Sequence, residues 1–169
     1  LSATTYPSEP EDMLMVEAEY CRMENKLEDK LSNYAETYHG YDEYRISGEV
    51  LGHDPYVLAS ALSAILGEYT LSDAGAIIGE IFDLQYLVEE KSVTETRYRT
   101  ETRTGYREVT DPETNETILV EYTYEVEVAY DYKICVVTLI SKPLESVIDE
   151  LLTDEQRQIY EILMKTKGA

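Results

Sequence analysis

Between Ser92 and Glu108 the sequence SVTETRYRTETRTGYRE alternates with a period of two residues. Threonine or tyrosine occupies each even position from Thr94 to Tyr106, whereas arginine and glutamate occupy most of the odd positions. Successive side chains of a β-strand point to opposite faces, so this alternation predicts a strand and argues against a helix. A strand of this length needs a partner to satisfy its backbone, and this need constrains the fold more than any other feature.

The predicted partner strand follows after a turn. The cluster TDPETNET at 110–117 has turn composition, and from Val120 to Val136 apolar or aromatic residues again occupy every second position. We therefore expect an antiparallel β-hairpin over residues 91–140. Four arginines on the first strand and an acidic row on the second are complementary, so we expect the two charged faces to lie side by side. The apolar run ICVVTLI predicts a buried base and a solvated tip.

The N-terminal third has the period of a helix. Ser8 and Glu11 match a capping box around Pro10, and Gly40 supplies a stop, so the sequence predicts a long amphipathic helix over residues 8–39. Its apolar stripe is expected to pack within the domain, although the near-heptad spacing also suits pairing with another helix. The stripe consists of Met13, Val16, Tyr20, Met23, Leu27, Leu31, Tyr34 and Tyr38. The opposite face is expected to be solvated and carries Glu17, Arg22, Glu24, Lys26, Glu28, Asp29 and Lys30.

Further helices are predicted on both sides of the hairpin. Apolar residues recur at steps of three and four over 54–86, where Thr70 and Asp73 form a second box-like start, so this segment is expected to be a helical hairpin. Residues 143–166 are expected to form two short C-terminal helices. The segment 41–52 has two glycines and no clear period, which predicts a loop.

These elements together predict the α+β class. We expect a single domain over residues 1–169, in which the long helix and the helical hairpin pack on the β-hairpin. A chain of 169 residues is long enough to bury a sizeable core.

The charge of the chain limits its partners. It has 35 Asp and Glu against 14 Lys and Arg, a formal net charge of −21. Such an excess repels phosphate backbones and argues against direct nucleic-acid binding. It is compatible with a soluble secreted domain, with a partner for basic surfaces, and with an acidic inhibitor that mimics nucleic acid. No stretch approaches the roughly 18 apolar residues that would suggest a membrane span.

The stretch LGHDPY at 51–56 places one of only two histidines beside an aspartate. The pair His53 and Asp54 has the residue types of an acid–base or metal centre, but Asp54 followed by Pro55 is also typical of a helix start. An aspartate there accepts from free amides of the first turn, and proline at the first helical position loses no hydrogen bond. We interpret Asp54 and Pro55 as a structural cap, and we expect His53→Ala to leave stability nearly unchanged.

Other reactive groups give no recognisable site. Cys21 and Cys135 lie in no CxxC pair and at no ligand spacing from a histidine, so buried thiols are expected rather than a disulfide. The sequence predicts no catalytic residue, no metal ligand and no cofactor. An Asp/Glu pair at glycosidase spacing stays open as an alternative, because the chain is rich in carboxylates. Most of the 16 tyrosines are expected in the core and sheet, and those near the hairpin tip at an interface.

Several longer runs carry a resemblance to a known family. They are GHDPYVLASALSAILGEYTL, then IFDLQYLVEE leading into RYRTETRT, then YTYEVEVAYDYKICVVTL and DEQRQIYEIL. In this order they resemble the central region of cell-wall hydrolases encoded on conjugative transposons of Gram-positive bacteria. The resemblance covers about positions 12 to 164. In such proteins a membrane-anchoring segment precedes this region, and a peptidoglycan-cleaving domain, commonly of the NlpC or CHAP type, follows it.

The resemblance implies a non-catalytic accessory domain. We expect it to lie outside the cytoplasm at the cell surface, attached to the membrane only through a segment outside this chain. Its expected role is to position the hydrolase or to contact proteins of the conjugation apparatus or cell wall. No catalytic residue is carried over, because neither Cys21 nor Cys135 matches the Cys–His arrangement of those peptidases. A carbohydrate-active enzyme with an Asp/Glu pair and an acidic inhibitor are the alternatives.

Overall fold

The computed structural model describes residues 6–50 and 52–166, and the fold is α+β. These described residues form six helices and three strands. In chain order the elements are α1 (Pro10–Ser32), α2 (Tyr34–Thr37), β1 (Glu43–Ser47), α3 (Pro55–Leu66), α4 (Leu71–Gln85), β2 (Tyr86–Thr110), β3 (Thr117–Ser141), α5 (Leu144–Leu151) and α6 (Asp154–Thr166). The strands form one sheet in the order β1-β3-β2.

The chain divides into two compact units. The first, called the helical unit here, comprises the described parts of 1–39, 44–91 and 136–169, and therefore contains all six of the helices described above. The second, called the ribbon unit, comprises 40–43 and 92–135, and so contains most of the β2–β3 hairpin.

Helix α3 is the centre of the helical unit. Its residues from Val57 to Ala64 are all buried, as expected for a helix that is apolar on every side. It packs against α1, α4, α5 and α6, and α1 packs against α4. The predicted stripe of α1 is used in this core, since Met13, Val16 and Tyr20 are at most 1% exposed. The predicted packing of the stripe is confirmed for these residues and for Leu31 and Tyr34, whereas Tyr38 lies beyond α1 and is exposed.

The N-terminal ends of α3 and α4 have the capping hydrogen bonds that the sequence predicts. At α3, Asp54 is the N-cap residue, its carboxylate accepts from the Tyr56 amide at 2.9 Å, and Pro55 opens the first turn. At α4, the Thr70 hydroxyl accepts from the Asp73 amide while the Asp73 carboxylate accepts from the Thr70 amide, so the predicted capping box is confirmed. Both arrangements satisfy amides that have no partner within their helix.

The limits of the first helix differ from the prediction. The predicted capping box of Ser8 and Glu11 does not form, because the buried Ser8 hydroxyl accepts from the Tyr69 amide at 2.9 Å instead. The helix also ends at Ser32 rather than near residue 39. At Asn33 both the backbone amide and the side-chain amide donate to the Asp29 carbonyl, and asparagine side chains that bond to nearby backbone groups favour helix ends over helix interiors.

The interpretation of 41–52 as a loop is wrong for Glu43–Ser47, which forms β1. In the helical unit the chain just after this strand stays close to β3, where a side chain on Gly48 would collide with Leu139 and the Ser141 hydroxyl donates to the Glu49 carbonyl at 2.7 Å. Residue numbers rise in the same direction along both segments, from Gly48 at Leu139 to Glu49 at Ser141, so the two segments run in parallel. Pairing with β3 provides the backbone partners that residue propensity alone does not predict.

The hairpin itself is confirmed, and its register follows from contacts between the strands. In the ribbon unit the hydroxyls of Thr110 and Thr117 are 3.2 Å apart, and the Thr100 hydroxyl donates to Glu127 at 2.7 Å. Even positions of β2 therefore lie opposite odd positions of β3. The threonine positions of β2 thus share one face, here called the threonine face, with the acidic row Glu121, Glu125, Glu127 and Asp131.

The prediction that the arginines lie beside this acidic row is wrong. The arginines share the opposite face with tyrosines of β3, and the Arg97 guanidinium lies 3.5 Å from the centre of the Tyr132 ring. Arg99 lies similarly 5.5 Å from Tyr130. Their ion pairs are formed along the strand instead, for example between Arg97 and Glu95 at 3.1 Å. The connection at 111–116 fixes this phase, and a shift of one residue would exchange the faces.

Candidate functional site

The side chain of His53 lies in a buried polar cluster of the helical unit. Although His53 comes directly before the α3 cap, its side chain is only 1% exposed and lies against α1. We call Glu17, Cys21, Glu24, His53 and Tyr86 the His53 cluster. Both ring nitrogens have carboxylate partners, and these contacts argue against the expectation that His53→Ala leaves stability nearly unchanged.

Two glutamates of α1 hold the imidazole ring from its two ends. Nδ1 lies 2.9 Å from Oε1 of Glu24, and Nε2 lies 2.7 Å from Oε1 and 2.9 Å from Oε2 of Glu17. Glu24 is only 6% exposed, so its assignment to the solvated face of the helix is wrong. Positions 17 and 24 are two helical turns apart, and this spacing places both carboxylates on the side of α1 that meets the loop.

Further hydrogen bonds to the cluster come from the end of α4 and the start of β2. The Tyr86 hydroxyl donates to Oε2 of Glu24 at 2.5 Å, so both oxygens of this carboxylate accept a hydrogen bond. The Tyr20 and His53 rings meet edge to face with 4.6 Å between their centroids, and the Tyr20 hydroxyl donates to Gln85 at 2.6 Å. Buried polar groups with this degree of satisfaction hold a single arrangement of side chains.

The electrostatics favour a charged histidine. Burial of the ring opposes the charged form, but hydrogen bonds to Glu17 and Glu24 outweigh it and raise the pKa of His53 to about 9. At neutral pH the ring is therefore an imidazolium that donates from both nitrogens. It balances part of the negative charge that the two glutamates bring into the helical unit.

Cys21 is next to this ion pair, one helical turn after Glu17. Its thiol donates to Oε1 of Glu17 at 3.4 Å, and burial together with the nearby Glu17 charge raises its pKa to about 11. One ligand atom from each of Glu17, Cys21 and His53 lies within 4.8 Å of the others. No histidine is near a cysteine in sequence, whereas the fold brings His53 close to Cys21. Cys21 and Cys135 form no disulfide with each other.

The missed residues had a weak signal in the sequence. Glu17, Cys21 and Glu24 recur at helical spacing on a single face of α1, at the edge of the apolar stripe. Nothing local links this face to His53, which lies 29 residues beyond Glu24. The other histidine, His39, is exposed.

A second candidate surface is the threonine face of the ribbon unit. Tyr98 and Tyr106 stand on it with 65% and 64% of their surface exposed. Near the tip, Leu119 on the same face is 67% exposed, and Ile118 on the opposite face is 59% exposed. Single exposed apolar residues are ordinary, but aromatic side chains beside a row of acids form a surface suited to a protein partner.

Comparison with protein-family models, with curated proteins and with solved structures finds no match for this chain. Among the described residues, no helix has both the length and the apolar character needed to cross a membrane.

Proposed function

We propose that this chain is a non-catalytic interaction domain of an extracytoplasmic cell-wall hydrolase encoded by a mobile element. In this proposal the domain positions the hydrolase by binding a protein of the conjugation apparatus. The family-like runs support the cellular setting, and the threonine face supports an interaction role. The single observation that carries the interaction is the exposure of Tyr98 and Tyr106 within an acidic face.

The partner's chemistry follows from the charges on that face. On the threonine face between residues 94 and 133, five acidic side chains stand against one basic side chain, Lys133. The four arginines of β2 point to the other face, so they do not neutralise this surface. A partner with an apolar centre and a rim of Lys and Arg would complement it. Two copies of this chain would repel, because each has a net charge of −21.

The proposal is tested by site-specific crosslinking in cells that carry the element. A photo-crosslinking amino acid replaces Tyr98 in the full-length protein, and the crosslinked protein is identified by mass spectrometry. We expect a single extracytoplasmic transfer protein with a basic surface. Purified, it should bind the wild-type chain, and raising the salt concentration should weaken binding, because screening acts on exposed charges.

Charge reversal on the threonine face provides the specific variant. Glu125→Lys with Glu127→Lys should weaken binding of the purified partner at least tenfold. The matched control is Glu28→Lys with Glu80→Lys, which changes net charge equally at exposed helix positions and should bind as wild type. Equal binding by both variants would contradict the assignment to the ribbon. Release of product from purified peptidoglycan by this chain alone would contradict the non-catalytic role.

A further inference from the structure

We propose that Glu17, Cys21 and His53 form a binding site for a zinc-like divalent cation, with Glu24 orienting the histidine from behind. The ligand set consists of a thiolate, an imidazole nitrogen and a carboxylate oxygen, all of which are ligands that Zn²⁺ accepts. The site is independent of the threonine face and is made entirely of residues of the helical unit.

The three ligand atoms are close enough for one cation to bridge them after the side chains adjust, since each pair lies within 4.8 Å. In tetrahedral zinc sites the Zn–S distance is about 2.3 Å and the Zn–N and Zn–O distances about 2.0 Å, which separates neighbouring ligand atoms by roughly 3.3 to 3.8 Å. The Cys21 sulfur is already 3.4 Å from Oε1 of Glu17. The Nε2 atom of His53 is 2.7 Å from the same oxygen. A cation bound between them requires these two atoms to move apart by about half an ångström.

The surroundings of His53 are those that support a metal-bound histidine. Metal-ligating histidines almost always donate their other ring N–H to a carboxylate, carbonyl or water, which fixes the ring orientation and the tautomer. Here Glu24 accepts from Nδ1 at 2.9 Å and leaves Nε2 directed at Glu17. Glu24 is itself held by the Tyr86 hydroxyl at 2.5 Å. This carboxylate–histidine arrangement is buried and complete before any cation is added.

The spacing of the ligands gives the site a defined geometry. Glu17 and Cys21 are four residues apart on α1, so they project from consecutive turns of one face. His53 enters from the loop before α3, and the cation would join this loop to the helix. Cys21 and Glu17 are partly exposed, which leaves a route for entry and a fourth coordination position open to water. Binding releases the protons of the Cys21 thiol and of Nε2, since metal ligands must be deprotonated.

Metal titration of the whole chain, purified without an affinity tag, tests the proposal. Zn²⁺ should bind with a stoichiometry of one, whereas Mg²⁺ and Ca²⁺, which prefer oxygen ligands, should not compete for the site. Co²⁺ substituted for Zn²⁺ should give the near-ultraviolet absorption of a thiolate ligand. Binding of all four cations with similar affinity would identify a diffuse acidic surface and overturn the proposal, as would the absence of stoichiometric Zn²⁺ binding.

The chain contains only two cysteines and two histidines, which provides matched control variants. Cys21→Ser should abolish the Co²⁺–thiolate band, whereas Cys135→Ala should retain it. His53→Gln should abolish stoichiometric Zn²⁺ binding, whereas His39→Gln should retain it. If His53→Gln does not fold, the cysteine pair alone decides. A band that persists in Cys21→Ser would overturn the assignment.

The orienting carboxylate has its own signature. Glu24→Gln should retain the Co²⁺–thiolate band but weaken Zn²⁺ binding by about 10 to 100 fold, which is the usual effect of losing the group behind a ligating histidine. Unchanged Zn²⁺ affinity in this variant would show that Glu24 does not orient the histidine for metal binding.

Discussion

The Nδ1–H of His53 donates to Oε1 of Glu24 across 2.9 Å, and this bond joins the loop before α3 to the middle of α1. Its partners are 29 residues apart in sequence, and both side chains are buried. The histidine is thus part of the packing of the helical unit, in addition to its position next to a helix cap.

Removal of the imidazole should destabilise the metal-free chain. His53→Ala leaves two carboxylates without their cation and opens a cavity, so the free energy of unfolding should fall by about 3 to 5 kcal/mol, as when one partner of a buried pair is lost. Urea unfolding followed by circular dichroism measures this loss. His39→Ala is the control and should change stability by less than about 0.5 kcal/mol. Equal stability of the two variants would contradict the role of the His53 cluster.

The His53 cluster should also make stability depend on alkaline pH. The pKa of His53 is raised from 6.5 to about 9, so its stabilising contribution is complete below pH 6.5 and is lost as pH rises through 9. The full contribution is on the order of 3 kcal/mol, since a pKa difference of one corresponds to about 1.4 kcal/mol.

The measurement compares two proteins across pH in the presence of a chelator. Cys21→Ser serves as the background, because the raised pKa of the Cys21 thiol would add a loss of its own at high pH. In this background, the stability advantage of His53 over His53→Gln should shrink between about pH 6 and pH 10. A constant difference across this range would show that the charge on His53 does not contribute.

The cap of α3 should have a smaller and separate effect. Asp54→Ala removes the carboxylate that accepts from the Tyr56 amide, which should cost about 0.5 to 2 kcal/mol. Asp54→Asn retains an acceptor and should lose less. The comparison of unfolding midpoints decides this, and an alanine variant as stable as wild type would argue that water replaces the cap without cost.

Gly48 should tolerate no side chain. Its φ of +102° is unfavourable for other residues, and an added Cβ would lie 2.8 Å from the Cβ of Leu139. Gly40 has a similar φ of +106° but open space around it, so Gly40→Ala isolates the backbone strain. Gly48→Ala should be more destabilising than Gly40→Ala by about 1 to 3 kcal/mol, the usual cost of overpacking. Similar losses in thermal unfolding would indicate that β3 shifts to make room.

The register of the hairpin can be tested by engineered disulfides. Thr102 lies opposite Glu125 on the threonine face, in a pair whose side chains approach closely, so Thr102→Cys with Glu125→Cys should oxidise readily in a Cys21→Ser background. The control, Arg103→Cys with Glu125→Cys, places the two sulfurs on opposite faces and should not crosslink. Mass spectrometry of the oxidised proteins distinguishes them, and the reverse preference would restore the arginine–acid pairing predicted from the sequence.

The elements that depend on local pattern could be predicted from sequence. The alternation over Ser92–Glu108 identifies a strand because the side-chain period of a strand is a local property, and the Thr70–Asp73 box likewise involves neighbours. The pattern could not place Glu24, which has the composition of a solvated helix face. Its burial depends on a histidine brought by a distant loop, and hydrophobic periodicity contains no information about such a partner.

The predicted pairing of the arginines with the acidic row is wrong for a related reason. Charge complementarity favours a pairing in which Arg97 shares a face with the acidic row. The length of the connection between Thr110 and Thr117 instead places the threonines on that face. Ion pairs at an exposed surface are worth at most about 1 kcal/mol, whereas the tyrosines of β3 offer the arginines an alternative partner at similar energy. Turn geometry therefore outweighs the charges.

Four arginines lie within β2, so cleavage by trypsin can measure how often the strands of the ribbon unit separate. Trypsin cleaves after arginine only where the backbone is unpaired and extended, and the backbone after Arg97, Arg99 and Arg103 is engaged in the sheet. Cleavage there must wait for the strands to separate. The rate of cutting under native conditions therefore measures the local opening free energy of the hairpin, separately from global unfolding of the chain.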